Sequence, residues 1–320
     1  MENPKFVTRA YNNFSFGNSP NIAIKESPNS KLSDEIDYYW NLPCQIRAFF
    51  PQLLDSVGDN GKNKLIMELY AYPNFFDIVK HNLFNLSQLD KFCKNLNKIL
   101  SIFAQYRQPY SPKDKRAMYF DKTEKYYEDL VTNFSFFQEI SSFNEITINN
   151  KIYKNLEQIW DSLIGRFELI LLDDSDFTLI HGDLCFSNIL SAFHPVQDYC
   201  VIKFIDPRGS FGGSLSCYGD PAYDGAKLMH SYEGRYEWII NDMFFVKQNA
   251  DNNLTFEYKE INSWADKLAC FRANFPYNIK YKVIMGLIFI GMCSRHFDSL
   301  ERQKVMYLTG IKILNECLEE

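Results

Sequence analysis

The period of the hydrophobic pattern changes at Tyr72, and a small sheet followed by a larger body of helices is one of several two-lobed arrangements that fit this switch. Before it, the segments FVTRAYN, NFSF, NIAIKES, FFPQLLDSV and KLIMELYAY are short and apolar-rich, and Asn, Gly, Pro and Ser separate them, as expected of strands joined by turns. One helical stretch interrupts, SDEIDYYWNL, with Ser33 as its cap and Ile36, Tyr39 and Trp40 at helical spacing. After Tyr72, Leu86, Leu89, Phe92, Cys93, Leu96, Ile99, Leu100 and Phe103 follow the stripe of a long amphipathic helix. The same reasoning predicts helices over 121–140, 155–172, 221–247, 261–272 and 279–317, and a hairpin turning on Asn149-Asn150. The expected fold class is α+β with two lobes, a small β-rich lobe over 1–72 and a larger, mainly helical lobe over 73–320.

A length of 320 residues, with 46% apolar and 23% charged, suits one large or two smaller packed units. The net charge of -6 leaves no basic footprint for nucleic acid and weakly favours cationic or metal-bridged ligands. Eight scattered cysteines form no C-x-x-C pair, which argues against zinc or a redox dithiol and for a reducing cytoplasm. The first twenty residues lack a secretory apolar core. The longest apolar run, Val283 to Cys293, has 11 residues, whereas a bilayer span needs roughly 20, so a buried core helix is expected. Oligomeric state is not legible.

The chemistry concentrates in FTLIHGDLCFSNIL, an apolar strand ending at His181-Gly182-Asp183 and followed by Asn188. Phosphoryl transfer needs a carboxylate to take or orient the proton of the attacking hydroxyl, and a nearby amide oxygen to hold a metal ion bridging the nucleotide phosphates. The H-x-D-x-x-x-x-N spacing offers both on one loop. A second strand, VIKFID, returns through a turn at His194-Pro195 and ends at Asp206, a hard-oxygen ligand of the kind magnesium prefers. Gly209 then permits a sharp turn.

HGDLCFSNIL followed by FIDPRGSFG resembles the aminoglycoside phosphotransferase and choline kinase superfamily, whose fold is protein-kinase-like. More narrowly, DPRGSFG with GDPAYDGAKLMHS resembles phosphotransferases encoded with bacterial capsule and surface-polysaccharide genes. The resemblance implies ATP, with GTP as the alternative donor, Mg²⁺, and a small-molecule hydroxyl acceptor. It makes Asp183 the catalytic base, Asn188 and Asp206 metal ligands and His181 the brace of the loop. It also implies a strand lysine for the nucleotide phosphates, which Lys25 in IAIKES fits, and a helix acid to position it, met by Glu35 with Asp34 or Asp37 as alternatives. Backbone groups near Glu68 to Tyr70 would meet the adenine, with Met67 lining that pocket.

Two departures are plain. Before Lys25 the nearest approach to a glycine-rich loop, Asn12 to Ser19, holds Gly17 alone, which leaves a nucleotide-binding pseudokinase as an alternative. Asp206-Pro207-Arg208 stands where a protein kinase has Asp-Phe-Gly, and Pro207 speaks against a mobile activation switch. For the acceptor, Arg208 offers a planar fork for carboxylate or phosphate, joined by His230, Tyr232 and Arg235; pairing of Arg208 with Asp220 or Asp224 is the alternative. Asp224 reads as a helix cap, and Tyr236 and Trp238 are candidate members of an aromatic cage. Aminoglycoside phosphorylation is a third reading, in which the acceptor pocket would be acidic.

Overall fold

The computed structural model describes residues 13–16, 21–27, 30–59, 62–194 and 199–320. The expected strand FVTRAYN, Gly17 and Pro195 lie outside them. The first lobe is a four-stranded antiparallel sheet in the order β1-β2-β4-β3, made of β1 (Asn13–Phe16), β2 (Ile22–Ser27), β3 (Leu53–Asp59) and β4 (Lys62–Glu68). Alternation buries Ala23, Lys25 and Ser27 on β2 and Leu65 and Met67 on β4, the period of two that a sheet with one covered face requires. Helix α1 (Ser30–Asn41) covers that sheet. Its buried stripe is Leu32, Glu35, Tyr38, Tyr39 and Leu42, so Lys25 and Glu35 are carried into one interface. The helix begins at Ser30, which places Ser33 inside it and corrects its assignment as the cap.

The second lobe opens with α2 (Phe75–Lys80) and α3 (Leu86–Phe103), the latter begun by a capping box between Asn85 and Gln88. There follow β5 (Arg107–Gln108), α4 (Pro112–Arg116), a π-helical turn over Ala117–Asp121, α5 (Lys122–Asn133), α6 (Ser135–Ser141), β6 (Glu145–Ile148), β7 (Lys151–Lys154) and α7 (Leu156–Leu171). Asn149 and Asn150 have φ of 51° and 65°, the left-handed pair that a two-residue hairpin turn needs. Next come β8 (Phe177–Leu179), the antiparallel hairpin β9 (Ile189–His194) and β10 (Tyr199–Phe204), then the short strands β11 (Ser210–Phe211), β12 (Ser214–Leu215) and β13 (Tyr218–Gly219).

The chain ends with α8 (Pro221–Tyr232), α9 (Tyr236–Ile240), β14 (Phe244–Ala250), β15 (Asn253–Tyr258), α10 (Trp264–Asn274), α11 (Ile279–Cys293) and α12 (Leu300–Glu319). Three expected helices are broken. The span 221–247 stops at Tyr232, where Gly234 bonds back to Met229 and Arg235 adopts a left-handed φ of 55°, and it continues as the short helix α9 and then the strand β14. The span 121–140 breaks at Phe134, and 279–317 divides before Ser299, whose side chain caps α12. The hairpin β14–β15 joins β6–β7 in one four-stranded sheet, which no local pattern foretells. The run from Val283 to Cys293 lies in α11, buried on almost every side and packed by α5, α8 and α12. No helix among the described residues is long and apolar enough to cross a membrane.

Candidate active site

The loop after β8 is fixed from both sides before it reaches Asp183. The Asp224 carboxylate accepts the amide of His181 at 2.7 Å and that of Gly182 at 2.8 Å. Asp224 is therefore the anchor of the His181–Asp183 loop; the cap of α8 is Asp220, which accepts the Ala222 amide at 2.9 Å. Burial pushes the Asp224 carboxyl up to about 7, and those two amides oppose the shift. The His181 ring is wholly buried, stacked on Phe50 at 6.1 Å. Its Nε2 faces the Ile205 carbonyl at 3.0 Å and its Nδ1 accepts the Asp183 amide at 3.2 Å. Only a neutral ring protonated on Nε2 satisfies both, in accord with burial pushing its pKa down to about 4. Gly182 has φ of +76°, and a Cβ there would lie 2.8 Å from that of Arg208, so both backbone and space exclude a side chain.

Asp183 points into the cleft with the Lys227 ammonium 2.8 Å from its Oδ1. Asn188 donates its amide to the Asp183 carbonyl at 2.8 Å and to Oδ2 at 3.3 Å. Ile189 pairs with Phe204 and the Ile205 amide bonds the Asn188 carbonyl at 3.0 Å, so the hairpin sets Asn188 and Asp206 at one end. Asp206 has φ of 56°, a conformation open to Asp, and its side chain is 48% exposed. A magnesium ion fits this pair: the Asn188 amide nitrogen is engaged, which turns its oxygen out, and the Asp206 carboxylate is a second hard donor. Among the described residues no group of three or more His, Cys, Asp or Glu is placed to hold a metal, so phosphates and water would complete the shell.

Lys25 bridges the lobes, 2.5 Å from Glu35 and 2.9 Å from Asp206. Burial works against its charge, but Asp206 and Glu35 outweigh it and raise its pKa above the ordinary lysine value. The helix acid is Glu35, not Asp34 or Asp37. Asp34 contributes its backbone instead, because its carbonyl lies where a Cβ on Gly209 would stand, at 1.7 Å. Gly209 is thus demanded by the close approach of α1, not by a sharp turn. At the hinge the amides of Glu68 and Leu69 bond the carbonyls of Gln52 and Asn21 at 3.0 and 2.8 Å. The Tyr70 ring stacks on Tyr72 at 5.9 Å.

The acceptor assignments change most. His230 is fully buried between Tyr236 and Phe289 with neither ring nitrogen hydrogen-bonded. Arg235 lies over Trp238, Tyr258 and Trp264 at 5.8, 5.3 and 5.8 Å. Tyr232, Tyr236 and Trp238 are buried. His230, Tyr236 and Trp238 are core and Arg235 is held against it, brought inward by the turn at Gly234; Tyr232, also buried, borders a pocket with Asn274, Phe275 and Tyr281. Arg208 stays at the site, its amide on the His181 carbonyl at 2.8 Å, and it has neither expected partner: Asp220 faces Lys280 at 2.9 Å and Asp224 holds the loop. Lys227 is the main residue that the motif does not reveal. It stands three residues beyond Asp224 in GDPAYDGAKL, a spacing that places both on adjoining positions of one helix face. Ser231 and Glu237 likewise carry no sequence signal; they accept the amides of Phe186 and Ser187.

No family model matches the chain, and none of the curated proteins matches it. Among solved structures it is similar to a thermostable mutant of aminoglycoside phosphotransferase APH(4)-Ia in apo form, with 12% identity, a TM-score of 0.54, and coverage of 92% of this chain and 87% of that one. A thermostable mutant in ternary complex with AMP-PNP and hygromycin B gives 12% and 0.53 over 97% and 95%. APH(4)-Ia itself gives 12% and 0.51 over 92% and 85%. The chain therefore has the two-lobed, protein-kinase-like α+β fold of these enzymes.

Proposed function

We propose that this chain is an ATP- and Mg²⁺-dependent phosphotransferase acting on a hydroxyl of a small metabolite such as a sugar, an amino alcohol or a related precursor. The observation that carries the reading is the joining of Lys25, Asp206, Asn188 and Asp183, from three separate segments, across one cleft. Asp183 accepts the proton of the acceptor hydroxyl while its oxygen forms a bond to the γ-phosphorus; the bond from that phosphorus to the β–γ bridging oxygen breaks, and ADP leaves. Lys25, held by Glu35, steadies the donor phosphates in the lobe over 1–72, with Tyr70 at the adenine edge. Mg²⁺ bound by Asn188 and Asp206 supplies neutralisation of the β- and γ-phosphate charge.

The nucleotide in the AMP-PNP complex of a neighbour of the same fold supports the donor assignment, with GTP as the alternative. The resemblance of DPRGSFG and GDPAYDGAKLMHS to capsule-linked phosphotransferases supports a role in surface-polysaccharide synthesis. Purified protein with ATP and Mg²⁺ is expected to release ADP in the presence of a member of a panel of hydroxylated metabolites. Asp183→Asn should lower kcat by about 10²- to 10⁴-fold with the fold retained. Binding of Mg-ATP with no turnover of any acceptor would identify a pseudokinase instead.

A further inference from the structure

Several cations elsewhere in the second lobe have acidic or carbonyl partners, while Arg235 lies over aromatic rings. Lys115 and Lys280 share Asp173, Arg272 holds Glu233, Arg302 holds Asp242, and Lys267 is caged by the carbonyls of Val79 and Asn262. The side of the cleft beyond Asp183 differs. Among the described residues, no carboxylate pairs with Lys122, Arg208 or Arg295, although the chain carries a net charge of -6. These three come from distant segments; Lys122 and Arg295 are held against aromatic rings and Arg208 against the Gly182 backbone. Lys122, at the start of α5 just after the π-helical turn, lies over the Tyr223 ring at 5.7 Å. Tyr223 is one helical turn before Lys227, which touches Asp183. Arg295 bonds the Tyr126 hydroxyl at 3.0 Å and lies over that ring, and Tyr126 is one turn beyond Lys122. Arg208 packs its Cβ on Gly182, next to Asp183. Burial, then Arg208, Arg295 and Lys227, push the Lys122 ammonium well below its ordinary pKa, and Asp183 acts the other way.

We propose that the acceptor carries an anionic group, a phosphate or a carboxylate, which Lys122, Arg208 and Arg295 bind while Asp183 activates a hydroxyl of the same molecule. The inference rests on the phosphotransferase reading and narrows its substrate class. Half-buried cations without counter-charges are costly in the empty protein and have a physical use once an anion arrives. Arginine forks and lysine ammonium groups are the side chains suited to phosphate and carboxylate. The proposed donor site has its own cation and metal ligands, Lys25, Asn188 and Asp206, so Lys122 and Arg295 are left for the acceptor. A polycationic aminoglycoside would meet repulsion there.

The test uses the full chain with Mg-ATP and matched acceptors: glycerol, glycerate and glycerol phosphate, and a hexose beside its monophosphates and its uronic acid. ADP release is expected with anionic members and not with their neutral analogues; the productive series tells phosphate from carboxylate. Lys122→Met and Arg295→Gln should each raise the KM for that acceptor about 10- to 100-fold and change the KM for ATP far less. In parallel, inorganic phosphate or glycerate without nucleotide should raise the melting temperature of the wild type and do so less in both variants. Lys122→Met itself should melt no lower than wild type, because burial and neighbouring cations already disfavour the Lys122 charge. Equal turnover of neutral acceptors with silent variants overturns the inference and leaves the phosphotransferase reading standing. A rise in the KM for ATP in place of that for the acceptor assigns the cations to the donor and also overturns it. Absence of turnover with every acceptor defeats the phosphotransferase reading, and the anion melts still decide the site: no wild-type shift sinks it, and a shift lost in the variants upholds it.

Discussion

His181 shows how one buried side chain governs the geometry of another. Its ring receives the Asp183 amide and holds the Ile205 carbonyl one residue before Asp206, so it links the segments that bear the two cleft carboxylates. Its pKa falls to about 4 from 6.5, so the folded protein resists protonation at a pH where the unfolded chain accepts it. The stability contributed by the neutral ring is full above pH 6.5 and is lost as pH falls toward 4. Between about pH 7.5 and about pH 5 the loss amounts to about 2 kcal/mol. Urea unfolding of wild type and His181→Asn at both pH values checks this: the stability gap between them should narrow by that amount at the lower pH. The sequence marked His181, Asp183, Asn188 and Asp206 because they share one short ordered motif. It was silent on Lys122 and Arg295, which reach the site only through the packing of α5 and α11.

At the scale of elements, α8 organises the second lobe. It presents Asp224 to the His181–Asp183 loop, Lys227 to Asp183 and Ser231 to the Phe186 amide, three functions at helical spacing on one element. Asp224→Ala leaves two buried amides without an acceptor, at about 1–3 kcal/mol each. It should lower both the melting temperature and kcat, whereas Asp224→Asn, which keeps one acceptor oxygen, should retain part of each. The turn from α8 to α9 carries a different load. Arg235, strained at φ of 55°, is held over three aromatic rings. Arg235→Ala should therefore cost about 1–2 kcal/mol in denaturant unfolding and leave the KM for donor and acceptor unchanged. A large rise in acceptor KM would restore Arg235 to the pocket. From sequence, MHSYEGRYEW offered His230 and Arg235 as polar residues near the site; the turn at Gly234 sends both inward, and no periodicity reports a turn's direction.

For the whole molecule, the decisive contact is aromatic and crosses between the lobes. Phe50, on the segment between α1 and β3, packs on Tyr38, Phe103, His181 and Phe204, while the Tyr38 hydroxyl donates to the Ile180 carbonyl at 2.9 Å. The lobes share this core as well as the Lys25–Asp206 pair, so they should unfold together. Fluorescence and far-UV circular dichroism are expected to give coincident transitions, and Phe50→Ala should remove about 3–5 kcal/mol. Separate transitions for the two probes in the wild type would contradict a shared core.

The order of small sheet, long helices and catalytic hairpin was legible in the chain itself, because periods of two and 3.6 and the H-x-D-x-x-x-x-N spacing are local properties. Lys25 and Glu35 were legible as a strand lysine and a helix acid, though the choice of Glu35 over Asp34 and Asp37 required the buried face of α1. What tertiary structure alone decided was which charges gather around Asp183 and Lys122. The partnering of a charge depends on which segments fold against it: α8 brings Lys227 to 2.8 Å from Asp183, and Arg208 and Arg295 act on Lys122, although the chain as a whole is acidic.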